Sequence, residues 1–227
     1  NSFSGVFTIS SGTVQVGAGS TSGTLGTVSV TNNSALTFNR SDAAAFSNVI
    51  TGSGTVTQAG SGTTTLSGGN GYDGTTSVNA GILSVSHATA LGSLVAGTTV
   101  GANASLELQN NITVGAEALS ITGTGSATNG ALRNLSGTNS FGGTVTLNAD
   151  ATIQSDADTL TLGNATAVAA GTRALTFAGA GNITVSGAIT GTSATLTKTG
   201  NGTLLLSGGN GYDGTTSVNA GILSIFH

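Results

Sequence analysis

The chain has 227 residues, enough for one large domain or two small ones, but only 5% are charged, and proline, cysteine, methionine and tryptophan are absent. A net charge of −4, with the basic residues scattered at Arg40, Arg133, Arg173 and Lys198, offers no stripe for a phosphate backbone and excludes a nucleic-acid partner. No apolar run reaches the roughly 18 residues of a membrane helix, so no membrane insertion of this segment is expected, and the lack of cysteine rules out disulfides and thiolate metal sites.

Few charges and few aromatics suit disorder, but the chain is 37% hydrophobic, mostly Val, Ile and Leu in short alternating groups. These groups read as strands in chain order. "GVFTI" begins at Gly5, "GTVQV" at Gly12, "GTVSV" at Gly26 and "ALTF" at Ala35. The single helix candidate, "SDAAAFSNV" at 41–49, is short and lacks a repeated apolar face. "GTVTQ", "TTTL", "TSV" and "ILSV" follow between Gly54 and Val85, then "SLEL", "NITV" and "LSIT" between Ser105 and Thr122. From Gly143 come "GTVTL", "ATIQ", "TLTL", "ALTF", "NITV", "ATLT", "TLLL", "TSV" and "ILSI". Each is a short period-two segment closed by Gly, Asn or Ser, at a spacing of about 8–12 residues, which makes the chain all-β.

Repetition selects among all-β architectures. "LSGGNGYDGTTSVNAGILS" runs from Leu66 to Ser84 and again, letter for letter, from Leu206 to Ser224. "NSF" at Asn1 recurs at Asn139, and "ALTF" at Ala35 recurs at Ala174. Residues 1–138 thus read as one unit and 139–227 as a second, shorter one, within a single continuous fragment spanning 1–227. A sandwich or barrel does not tolerate a partial unit, whereas a solenoid does, because each coil contacts only its neighbours. The absence of proline agrees, since proline would remove a ladder hydrogen bond. The expected fold is a parallel β-solenoid of roughly 20–24 residues per coil. If a unit held a whole number of coils, the two identical corners would stack on one edge, six or seven rungs apart. The end coils, at Asn1 and His227, carry no proline, helix or charge cluster, so end-to-end self-association is expected.

Two ligand look-alikes overlap the repeated stretch. "GNGYDG" fits G-x-G-x-x-G at Gly69, Gly71 and Gly74, but strand and turn follow where a phosphate-binding helix should open. "GGNGYD" from Gly68 fits a calcium-binding nonapeptide, yet Thr75 stands where a large apolar residue belongs, and a lone copy supplies too few oxygens. Asn70 and Asp73 read instead as Asx-type turn residues, with Tyr72 covering the corner. Asp150, Asp156 and Asp158 form the one acidic cluster, with Asp156 and Asp158 expected about 7 Å apart on one strand face. No basic residue and no aromatic platform lies nearby in sequence, so they read as surface carboxylates. His87 recurs with the unit as His227 and reads as part of it. No catalytic, cofactor-binding or metal-ligating residue is assigned.

The stretches Gly60–Val85 and Gly200–Ile225 both follow the pattern G-x-G-T-L-x-L-S-G-x-N-x-Y-x-G-x-T-x-V-x-x-G-x-L, with Thr64 in place of the first leucine in the earlier copy. In this the chain resembles the autotransporter-associated β-strand repeat family of bacterial passenger regions. The resemblance implies a right-handed parallel β-helix at the bacterial cell surface or secreted, serving as stalk or fibre material or as an adhesin toward a host or surface glycan or protein. No amphipathic C-terminal barrel strands and no protease-type catalytic set accompany it. The reading is therefore structural rather than enzymatic, with adhesion second and a polysaccharide-degrading enzyme last. Thermal melts in chelator and in millimolar calcium are expected to overlay; a large upward shift with calcium would restore the metal reading.

Overall fold

The computed structural model describes residue 3 and residues 5–226. All strand pairs are parallel, and the chain winds through three faces per coil for about ten coils. Among the described residues the single helical element is the 3-10 turn Ser126–Thr128, and no helix is long and apolar enough to cross a membrane. The helix candidate at 41–49 contains the strand Ala43–Phe46.

The first face holds Phe7–Ile9, Val30–Asn32, Ile50–Gly52 and Gly71–Tyr72, and resumes after one irregular coil with Thr113–Val114 and five further strands. The second face runs without a break from Thr13–Ser20 to Gly211–Tyr212. On it Leu36, Val56, Thr76, Thr98 and Leu119 stack at intervals of 20, 20, 22 and 21 residues. The next step, Leu119 to Val145, takes 26 residues, because residues 124–131 leave the coil and fold over the third face. That third face runs from Ala43–Phe46 to Thr216–Val218, and the long strand Val145–Ser155 bends from the second face onto it.

Period-two alternation sends Val, Leu, Ile and Phe inward on all three faces, where they form one continuous buried core. Each such side chain stabilises by about 1.5–3 kcal/mol. Glycine is required where coils touch backbone to backbone. A Cβ at Gly74 would strike the Gly54 carbonyl, and one at Gly214 the Ala194 carbonyl. Gly81 and Gly221 both turn with φ near +60 to +70°, a conformation that favours glycine.

The whole-coil expectation fails. "TTTL" at Thr63–Leu66 lies on the third face, whereas its counterpart Thr203–Leu206 lies on the first. Likewise Thr55–Gln58 belongs to the second face and Thr195–Lys198 to the third. The copies are separated by six coils and one face, so the second is turned by one face about the axis. The physical reason is that each copy needs only the coil beneath it, and all three faces share the same alternation and turn chemistry. Asn1 and His227 lie outside the described residues.

Among the buried positions at which the two copies differ, one carries a polar side chain in both. Gln58 sits between Phe38 and Val78, 1% exposed, and its amide donates to the Gly60 and Gly62 carbonyls at 2.8 and 3.2 Å. Lys198 sits between Phe177 and Val218, 2% exposed, and its ammonium donates to the Thr199 and Gly200 carbonyls at 2.6 and 2.8 Å. Burial lowers the Lys198 pKa, so the folded chain holds that proton less tightly than the unfolded chain does. Stability then rises with pH toward the ordinary lysine range. Lys198→Gln should raise the melting temperature at pH 7 by a few degrees, about 1 kcal/mol, and the gain should shrink as pH rises toward that range. A lower melting temperature in the variant would contradict this.

Candidate functional site

The repeated corner is tied to the coils on both sides by side-chain hydrogen bonds. Past Leu66, a Cβ at Gly68 would collide with the Asn48 carbonyl, so the backbone passes directly over the coil below. Asn70 is then buried between two coils. Its Oδ1 accepts the Ile50 N–H below at 2.9 Å, and its Nδ2 donates to the Ala90 carbonyl above at 2.7 Å. Asn48 and Asn139 perform related bridging at equivalent corners, Asn139 accepting the Ile112 N–H at 2.7 Å. Tyr72 is fully buried, and its hydroxyl meets Thr76 Oγ1 at 2.6 Å. Burial pushes that phenol well above its ordinary range. Asp73 accepts the Ser93 hydroxyl of the next coil at 2.7 Å.

These contacts correct the Asx-turn expectation. Asn70 and Asp73 bond to neighbouring coils instead of their own turn, and Tyr72 lies inside the corner instead of covering it. The three glycines of the G-x-G-x-x-G stretch lead from one strand to the next, from Gly71–Tyr72 to Thr76–Val78.

The acidic cluster is dispersed. The strand Val145–Ser155 ends before Asp156, and Asp158 lies in a turn with φ 53°, so the two carboxylates do not share a strand face. Asp150 accepts the Ala174 N–H at 2.8 Å, and Asp158 the Gly137 N–H at 2.9 Å. Asp156 pairs with Arg133, which also pairs with Glu107. Arg133 is 23 residues away in sequence yet one coil away in space, a partner that linear proximity does not reveal. His87 is exposed, with Nδ1 accepting the Thr89 N–H at 3.2 Å.

Two buried carboxyl groups escape a search for clusters. Glu107 faces outward by alternation yet is 3% exposed, and Arg133 of the next coil donates to its carboxylate. Burial raises its pKa, and Arg133 offsets part of that rise. Glu117 is 2% exposed, accepts the Thr98 hydroxyl at 2.9 Å through Oε1, and leaves Oε2 without a partner. The signal for Glu117 was available in "EALSI", where alternation places Glu117, Leu119 and Ile121 on one inward side. Tyr72, Thr76, Thr98 and Glu117 form a polar seam inside the apolar core.

Three segments, residues 1–16, 56–85 and 196–225, match the family model described as the passenger-associated-transport-repeat. The second and third contain the stretches singled out by their repeated pattern; the first escaped that reading, because its corner sequence differs. No curated protein and no solved structure matches the chain.

Burial pushes the Glu117 carboxyl up to about 7. A carboxyl raised in the folded state contributes its stability fully below the ordinary carboxylate range and loses it as pH rises through about 7. Glu117→Gln should therefore melt higher than the natural chain at pH 8 and lose most of that advantage at pH 4.5. Parallel melting curves across this range would show that Glu117 does not titrate as described.

Proposed function

We propose that this chain is a structural stalk or fibre segment of an autotransporter-like bacterial surface protein, displayed outside the cell, and that it acts by setting distance. The supporting observation is the passenger-type repeat carried on a solenoid whose second-face ladder runs unbroken from Thr13 to Tyr212 around one filled core. Each coil adds roughly 4.8 Å of length. The polar side chains serve the stack: buried Asn70 joins coils, buried Gln58 and Lys198 hold turn carbonyls, and half-buried Arg133 joins carboxylates of different coils. In this reading the segment converts no substrate and needs no cofactor.

Antibodies raised against the folded chain should label intact, unpermeabilised cells of the source bacterium, and a glycan array probed with the folded chain should stay blank. Labelling only after permeabilisation would sink the surface assignment. Saturable binding of a defined glycan would replace the spacer by an adhesin acting through the outer face.

A further inference from the structure

Among the described residues the first-face ladder has one gap, and it lies well inside the stack. The ladder stops at Gly71–Tyr72 and resumes at Thr113–Val114. The other two faces continue across, Gly97–Val100 pairing with Ala118–Ile121 and Leu106–Leu108 with Leu132–Asn134. In the gap, residues 87–96 turn upon themselves, Ala90 and Gly92 donating their N–H groups to the His87 and Thr89 carbonyls at 3.0 Å. Below, they are bonded to Asn70, Tyr72 and Asp73. Above, among the described residues, no hydrogen bond joins residues 87–96 to residues 110–117. Leu94 stands between the coils instead, 56% exposed and lying against Gly115. The upper coil begins with Asn110 and Asn111, left-handed at φ 75 and 57°, and further on carries Ala127 and Thr128 at φ 50 and 63°. Four of the six such non-glycine residues among those described thus fall in one coil, and β-branched Thr128 tolerates that backbone least.

We infer that the step from residues 87–96 to residues 110–117 is a hinge: the coils below and above it part along the first face and stay joined through the second and third. Two bonded sides and one unbonded side allow bending about the bonded pair, because the ladder bonds are kept while only the Leu94 contact is given up. A latch sits at the second-face corner of the same step. There Glu117 of the upper coil accepts the Thr98 hydroxyl of the lower coil at 2.9 Å. Its other oxygen is buried without a partner, so opening the step lets that oxygen reach water. The second-face strands below and above place Thr76, Thr98 and Val145 on the same inward side. The titratable neighbour is Tyr72, which burial keeps neutral, while Glu107, Arg133 and Asp156 pair with one another on the outer side of the third face. Burial holds the Glu117 carboxyl up at about 7, so the closed step is supported below the ordinary carboxylate range and loses that support as pH rises through about 7. The rod thus has one joint between two stiff stacks, and it loosens above neutral pH.

The chain contains no cysteine, so introduced pairs can be spin-labelled and their separations read by pulsed electron paramagnetic resonance in the intact chain. Thr31→Cys with Thr161→Cys labels the first face, and Thr37→Cys with Ala169→Cys labels the second. Each pair spans the gap and is six coil steps apart, roughly 29 Å at the spacing of neighbouring strands. The first-face pair should show a second population, longer by about 4.8 Å or more, that the second-face pair lacks. That population should be larger at pH 8 than at pH 5.5, and Glu117→Gln should abolish the difference, with the second-face pair in the same variant checking that the stack is intact. Equally narrow single distances in both pairs would overturn the hinge. So would a lengthening of both pairs together, which is loosening of the whole stack, and a pH dependence that survives Glu117→Gln would overturn the latch.

Discussion

The hydrogen bonds that hold this molecule together run along its axis, from each coil to the next. A strand of three or four residues has no stability of its own, and its N–H and C=O groups must find partners or be left costly and bare. Here the partner lies one coil away, about 21 residues in most coils and 26 to 28 at the longest, so every coil is both product and template. Glycine at Gly68, Gly74 and Gly81 follows directly, since backbones in register approach closely enough to exclude a Cβ or demand a left-handed turn. The absence of proline follows from the same ladder.

A narrow three-sided core must also dispose of the polar groups that its turns leave behind. The chain does this with inward side chains that reach carbonyls instead of solvent. Asn32 donates to the Thr55 carbonyl, Asn134 to those of Gly137 and Ala157, and Gln58 and Lys198 to the turns beside them. Amides manage this without net charge, and Asn70 uses both ends of its side chain. Lys198 and Glu117 are the costlier variants, one burying an ammonium among carbonyls and the other a carboxyl with a free oxygen. Neither has an oppositely charged partner among the described residues.

Fold class was legible because alternation and turn residues recur with little interference: the inward set Leu36, Phe38, Val56 and Leu66 can be marked from "ALTF", "GTVTQ" and "TTTL" alone. Lateral relations were less so. Asp156 and Glu107 both meet Arg133, because coil stacking converts separations of 23 and 26 residues into contact. Linear spacing placed Asp156 and Asp158 on one strand, but the strand stops at Ser155. The identity of the two copies invited a whole-coil period, though ladder formation is local and indifferent to which face a copy starts from.

That indifference has a geometric outcome for any array of such units. A copy that starts one face later turns its side chains with it: Ser77 lies on the second face and its counterpart Ser217 on the third. Successive units would set corresponding features at three azimuths before returning to the first, like leaves on a stem with three ranks. A rod built this way has no front or back. Whatever its surface presents is offered in every direction, and a neighbour approaching from any side meets the same pattern at a different height.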